Sequence, residues 1–484
     1  MEPFERIASR VDEFRRELRA TAPGDIDTLE VERRVHALVK ELGVELMREV
    51  FQRADAKEPE VVVHGEVWGH RREVAAEYHT SFGALTVSRG TYQRSGRGRV
   101  MIPMDRRLGI VEDAFTPRLA RILARATASI PSEEAADLLG EVGVASVSVS
   151  TLHRLPRAMA ARLEQRRVEI EAHVWMNDPI PALAVSAQAS LDGVMVPMEG
   201  EHARARGRKT DDPEPPRHEQ RYEPHHREIP ANHNEASGRA WHEAAVATLS
   251  YLDAEGRVLK TTYLAEMPEP QKLTLARRLR ENLTMVLAER PELNIVAASD
   301  GAPLHWRLLA GIHSAVAHLH TGTWMNLVDF YHVTEYLNDA ADAIYGEGTP
   351  DARVASRNWG ETLRAYTNGA ERVLKSLRYH RKTSTKRKDI DAAIEYLCVQ
   401  KNAGRANFAE AEARNFPIGT GVTEAAAKTV VSVRMKRAGA RFSHHGGQTI
   451  LHFRAALLSQ RFALLMDALE RTYGAEVTLP TKAA

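Results

Sequence analysis

The chain has 484 residues, 43% of them hydrophobic, and its 66 Lys and Arg nearly balance 65 Asp and Glu to leave a net charge of +1. At roughly 100 to 200 residues per folding unit this length implies a multidomain globular protein, and the near-neutral total gives no overall argument for a nucleic-acid partner. A single cysteine, Cys398, excludes an intrachain disulfide and a CxxC zinc site, so any metal must be held by carboxylates or histidines.

The opening MEPFERIASRVDEFRREL lacks the apolar core of a signal peptide, and no later stretch approaches the roughly 20 apolar residues that span a bilayer. A soluble cytoplasmic protein with no membrane partner is expected. Between Glu2 and about Glu60 apolar residues recur at helical spacing, Val35, Leu38, Val39, Leu42, Leu46 and Val50 among them. Residues 1–82 therefore read as an N-terminal helical region and a candidate dimerisation element. GALTVSRGTYQRSGRGRVMIPMD, from Gly83 to Asp105, alternates as a small basic hairpin around a glycine and arginine turn.

Three helices are expected between Thr116 and Ala172, the second opening at Ser132 and ending at Gly143. The third places Ser150, Thr151 and Arg154 in its first turn, the pattern of a helix-turn-helix whose second helix meets bases and phosphates. A helical hairpin joining domains fits the same residues. Residues 83–180 are assigned to this DNA-binding region.

From about residue 181 the pattern changes. ALAVSAQASLDGVMVP reads as a buried strand, AAVATLSYLDAEGRVLKTTYLAEM as two strands turning at Asp253 to Gly256, PEPQKLTLARRLRENLTMVLAE as a helix, and LNIVAASDGA as a strand ending in Asp-Gly. Three hairpin-ordered strands, a helix and a strand ending in an acid is the order of an RNase H-like α/β fold, a mixed sheet flanked by helices. Residues 181–345 form the first part of this core, with 199–242 a hydrophilic flexible loop. His202, His218, His225, His226, His233 and His242 fall there at spacings that match no standard metal-ligand set. Residues 346–414 read as a helical insertion, 415–470 as the last helices of the core, and 471–484 as a tail.

Asp192 interrupts the first core strand, Asp300 ends the later one, and Glu424 lies in the first turn of the helix that re-enters the fold. Were the first and fourth strands neighbours, the two aspartates would meet and that helix would deliver the glutamate. Three carboxylates without histidine or thiolate make a hard-oxygen site for Mg²⁺ or Mn²⁺. Two ions roughly 3.5 to 4 Å apart serve in-line phosphoryl displacement. Taken singly each acid is ordinary: Asp-Gly is a turn dipeptide, and Glu424 four residues before Lys428 is the spacing of a surface ion pair.

Charge is also uneven. No acid occurs between Glu424 and Asp467, while Lys428, Arg434, Lys436, Arg437 and Arg441 do, placing phosphate-binding cations along or just past the helix of Glu424. A second acid-free run extends from Lys375 to Lys388, where a solvated face is an equal reading.

FPIGTGVTEAAAKTVVSVRMKRAGARFSHHGGQTILHFRAALLS resembles the C-terminal signature of bacterial insertion-sequence transposases of the ISKra type, in which a glycine turn precedes the catalytic glutamate and a basic R-M-K element follows. SLDGV and ASDGAPLHW resemble their two aspartate motifs, and VDFYHVTEYL resembles an acid-x-x-histidine element shared with mutator-like transposases. The resemblance implies a DDE transposase with Asp192, Asp300 and Glu424 as metal-binding triad, Asp329 and His332 as an auxiliary pair, and two Mg²⁺ or Mn²⁺ ions as cofactor. Its partners would be transposon-end and target DNA, held by a homodimer or higher oligomer. Water would cleave a phosphodiester to free a 3′-hydroxyl, which would then attack target DNA. Where relatives favour tryptophan after R-M-K this chain has Phe442, a residue able to stack on a base. The alternatives are an RNase H-like nuclease without strand transfer, a domesticated transposase acting only as a DNA-binding protein, and a histidine-rich metal-binding protein.

Overall fold

The computed structural model describes residues 3–94, 98–144, 147–199, 232–234 and 239–480, which divide into two compact units. Unit 1 combines the chain up to Asp178 with the chain from Arg461 onward, and unit 2 runs from Pro179 to Gln460. The boundary at Asp178 lies within two residues of the expected one. The expected boundary at 470 moves to 460, because the last helix and strand belong to unit 1.

Unit 1 opens with α1 (Pro3–Ala20) and α2 (Thr28–Ala54), the second N-capped by Asp27, whose side chain accepts from the amides of Leu29 and Glu30. An antiparallel sheet follows in β1 (Glu60–Val63), β2 (Glu66–Thr80) and β3 (Gly83–Gln93). The hairpin thus turns at Ser81–Phe82, ahead of the glycine and arginine turn expected near residue 95, part of which lies outside the described residues. The sequence hides β2 because most of EVWGHRREVAAEYHT is solvated and its charges break the alternation. Phe51 of α2 meets Tyr78, Leu85, Val87, Met104 and Ile110 in the core above this sheet.

Next come α3 (Pro103–Leu108), α4 (Pro117–Ser129), α5 (Ser132–Glu141), α6 (Val149–Gln165) and α7 (Arg167–Asn177). The first two of the expected three helices match α4 and α5; the third is divided between α6 and α7 at Arg166. Pro156 lies inside α6 and has no N–H to give the Leu152 carbonyl. Thr127 of α4 supplies the donor instead, its Oγ1 lying 3.3 Å from that carbonyl.

Unit 2 is an α/β unit built on a mixed sheet. β4 (Ser186–Glu199) pairs antiparallel with β6 (Arg239–Leu252), which also takes the short β5 (Asn232–Asn234) and β7 (Val258–Glu266) on its other edge. The region expected as a loop over 199–242 therefore lends its ends to strands; His202, His218, His225 and His226 lie outside the described residues. After α8 (Leu273–Glu289) the chain adds β8 (Asn294–Ser299), then α9 (Pro303–Val316) and β9 (Trp324–Val328), with β4, β8 and β9 parallel neighbours in that order. β8 and the first half of β4 are rich in small and β-branched residues and nearly all buried, as strands covered on both faces are.

The helical segment comprises α10 (Phe330–Tyr345), α11 (Pro350–Ala365), α12 (Gly369–Arg381), α13 (Arg387–Asn402) and α14 (Phe408–Ala413). The chain then returns through α15 (Gly421–Ala426), a π-helical turn over Ala427–Ser432, α16 (Val433–Met435) and α17 (His444–Leu458). Ala426, Val430, Val431, Met435 and Leu451 pack from these helices onto Val196, Val246, Ala265 and Met267 of the sheet. The segment after Gln460 completes unit 1: α18 (Phe462–Arg471) bonds Arg121 through Glu470, and β10 (Val477–Thr478), expected as a tail, pairs with β1.

Candidate active site

Alternation along a strand sends residues two apart to the same face. Ser190 of β4 pairs with Ala298 of β8 and with Thr248 of β6, and Thr248 Oγ1 lies 2.6 Å from Thr423 Oγ1 of α15. Asp192 lies two residues beyond Ser190 and Asp300 two beyond Ala298, so both belong to the face on which α15 lands. Asp329 immediately follows Val328, which pairs with Ser299. Asp300 and Asp329 thus directly follow the carboxyl ends of β8 and β9, while Asp192 lies mid-way along the longer β4, two residues past its last parallel pair with β8.

Asp192 and Asp300 are close enough to repel each other, but their surroundings push them apart in acidity. Burial holds the Asp192 carboxyl above the ordinary carboxylate range, and the Asp300 charge adds to the rise. Asp300 is well below that range: burial opposes this, but hydrogen bonds outweigh it, led by His305 and the Ala302 amide. Among the described residues its carboxylate is met at Oδ1, with Ser299 Oγ and the Ala302 amide each at 3.0 Å and His305 Nδ1 at 3.3 Å.

The turn after Asp300 is held from the helical segment. Tyr396 of α13 donates its hydroxyl to the Asp300 carbonyl at 2.7 Å and stacks on Tyr336 of α10 with ring centroids 4.2 Å apart. Gly301 has φ +103°, and a Cβ there would lie 2.7 Å from the Tyr396 oxygen, so only glycine lets the tyrosine approach.

Glu424 is anchored differently. Thr420, the residue before α15, bonds Asp329 Oδ2 through both its amide and its hydroxyl, and its Oγ1 is 3.1 Å from Glu424 Oε1. Asp329 is fully buried and with its other oxygen caps α10, accepting from the amides of Tyr331 and His332. It therefore braces β9, α10 and the loop of Thr420 together. His332 turns its imidazole to Glu335 at 3.1 Å, so it meets Asp329 through its backbone alone.

Comparison with protein-family models and with curated proteins finds no match.

Among the described residues no group of three or more His, Cys, Asp or Glu side chains is gathered closely enough to hold a metal ion. The aspartates are brought together, while Glu424 is turned toward Thr420. Of the expected cations, Lys428, Lys436, Arg437 and Arg441 are exposed. Arg434 is buried, which overturns its expected place on a phosphate-binding surface, because its guanidinium is enclosed by protein. Phe442 is half-buried: its carbonyl accepts from the Glu199 amide at 3.0 Å and its ring packs against the core cluster that holds Val196, Ala426 and Met435. In unit 1, Ser150 and Arg154 are exposed on α6, and Thr151 is half-buried with its amide bonded to the capping Ser148.

Sequence reasoning missed Thr420, His305, Lys272 and Tyr396. Thr420 carried a signal, a hydroxyl four residues before a helical Glu at a glycine turn. His305 carried a weaker one, a polar residue in the first turn of a Pro-initiated helix directly after Asp300. Nothing local marks Lys272 or Tyr396.

Proposed function

We propose that unit 2 is an RNase H-like catalytic domain and that the chain is a DNA transposase of the DDE type, cleaving and joining DNA with Asp192, Asp300 and Glu424. The observation that carries this reading is the sheet: three antiparallel strands followed by two strands parallel to the first, with Asp192 and Asp300 neighbouring each other just past the last β4–β8 pair and α15 on the same face. A DNA-binding relic has no use for two semi-buried aspartates beside each other. The sequence resemblance to insertion-sequence transposases points the same way.

The donor chemistry fits Mg²⁺ or Mn²⁺, since Asp192 and Asp300 present oxygen ligands and burial beside a like charge makes a counter-cation favourable. Asp192 and Asp300 would hold it, with Glu424 as third ligand once its side chain turns from Thr420. A divalent cation bound there supplies charge stabilisation for the attacking and leaving oxygens of a phosphodiester. The chain's own residues do the rest: Tyr396 and Ser299 fix the Asp300 turn, and Asp329 with Thr420 sets the position from which Glu424 swings. Lys428, Lys436, Arg437 and Arg441 supply phosphate contacts that position DNA without reading it, and Ser150, Thr151 and Arg154 offer a second surface in unit 1. Because two ends must be held together, the working form is a dimer or higher oligomer.

The test is Mg²⁺- or Mn²⁺-dependent nicking and joining of DNA carrying the gene's own flanks, with wild type, Asp192→Ala, Asp300→Ala and Glu424→Ala. Wild type alone is expected to nick and join. Nicking without a joined product would assign a nuclease, and four proteins behaving alike would make the acids structural and leave a DNA-binding relic.

A further inference from the structure

Lys272 is an unusual residue for a strand-to-helix junction. It has φ +52°, precedes α8, and is only 4% exposed, so a charged side chain has been enclosed on a backbone conformation that costs energy for any residue but glycine. Its ammonium lies 2.7 Å from His305 Nε2 and 3.2 Å from Glu243 Oε2. Glu243 comes to this point because Gly193, the residue after Asp192, has no Cβ; one built there would lie 1.9 Å from Glu243 Oε1. His305 is itself 3% exposed, and its other nitrogen faces Ser299 Oγ at 3.1 Å and Asp300 Oδ1 at 3.3 Å.

An ammonium only donates. His305 Nε2 must therefore accept, which leaves the single imidazole proton on Nδ1, pointing at Ser299 and the Asp300 carboxylate. The opposite tautomer would aim a proton at the ammonium and a lone pair at the carboxylate. We propose that Lys272 is a positioning residue that acts through His305: it fixes the imidazole as the Nδ1–H tautomer, so that this N–H joins the Ser299 hydroxyl and the Ala302 amide at Asp300 Oδ1 and leaves Oδ2 outside this bond set to face a ligand. The ligand end of this inference rests on the metal-site reading above; the tautomer does not. Outer partners of this kind typically change metal affinity about 10- to 100-fold when removed.

The experiment uses the full chain without added metal, labelled with ¹⁵N-histidine, and reads the His305 ring nitrogens by NMR, with His305→Gln locating the signal. Wild type is expected to show Nδ1–H alone; Lys272→Met is expected to show the Nε2–H tautomer or a mixture, and Lys272→Arg, which also only donates, to restore Nδ1–H. Mn²⁺ titration by calorimetry is expected to show a loss of about 10-fold or more in Lys272→Met. An Nε2–H tautomer in wild type overturns the proposal without recourse to any variant. So does an Nδ1–H tautomer that persists in folded Lys272→Met. If wild type takes up no Mn²⁺ while the tautomer shifts as expected, the positioning role stands and the metal-site reading fails.

Discussion

Thr420→Val is the most discriminating single change to the candidate site. Valine keeps the shape of threonine but removes the hydroxyl that bonds Asp329 Oδ2 and faces Glu424 Oε1. Asp329 is fully buried, so water does not replace the lost donor, although three backbone amides remain on its carboxylate. One hydrogen bond to a charged group contributes about 1.5–3 kcal/mol, and that is the expected loss. Thr420→Ser keeps the donor and is expected to lose less than about 1 kcal/mol, the cost of a methyl group. Because two units need not unfold together, a single denaturation midpoint is ambiguous. Hydrogen exchange followed by mass spectrometry on peptides covering β9 and α10 isolates the relevant opening. Faster exchange there in Thr420→Val, matched by a drop in DNA nicking with DNA affinity unchanged, is the expected result. A valine variant within about 0.5 kcal/mol of wild type in those peptides refutes the brace.

Other consequences are accessible to simpler measurements. Burial pushes the Asp105 carboxyl up to about 6 from an ordinary 3.8, against the pull of Tyr78 and Arg89. The folded state therefore binds that proton more tightly, and this group's contribution to stability falls as pH rises from about 4 to about 6 and is flat above. Asp105→Asn is expected to remove that slope from the melting temperature of unit 1, and an unchanged slope counts against the assignment. Asp300 has the opposite sign: its low folded pKa contributes stability at neutral pH that is lost as acid protonates it, so Asp300→Asn makes unit 2 less sensitive to acid below about pH 4. Thr127→Val is expected to cost about 0.5–1.5 kcal/mol by leaving the Leu152 carbonyl without its donor, and the cost should shrink in a Pro156→Ala background, where the helix supplies the N–H itself. Gly256→Ala is expected to destabilise unit 2 by more than about 1 kcal/mol, since φ is +79° and the new Cβ would lie 2.4 Å from the Asn415 carbonyl oxygen.

Much of unit 2 was legible because its signals are local. Runs of small and β-branched residues marked β4 and β8, Asp253 to Gly256 marked the β6–β7 turn, and helical spacing marked α8. The neighbouring places of Asp192 and Asp300 were legible only on the condition that the first and fourth core strands pair, which β4 and β8 do. Unit 1 was harder to read: β2 is written in charged residues because most of it faces water, and β10 is two residues long and defined only by its partner β1. Side-chain chemistry was least legible. Thr420 meets Asp329 across 91 residues, and Tyr396 meets Asp300 across 96. No spacing rule reaches that far. The burial of Arg434 was hidden for a related reason, since the π-helical turn before it alters which residues of the helix face the core, and no periodicity of ordinary helices announces such a turn.

The division of the chain sets an order of assembly during synthesis. Unit 1 begins with the first helices and is finished by α18 and β10, so all of residues 179–460 leave the ribosome before its sheet receives its last strand. At about 5–20 residues per second, the α2–β3 layer waits tens of seconds for Glu470 to reach Arg121 and for Val477 to reach Val63. Unit 2, continuous in sequence, is complete first. A ribosome that stops between residues 460 and 480 therefore releases a chain whose unit 2 is whole and whose unit 1 lacks its closing elements.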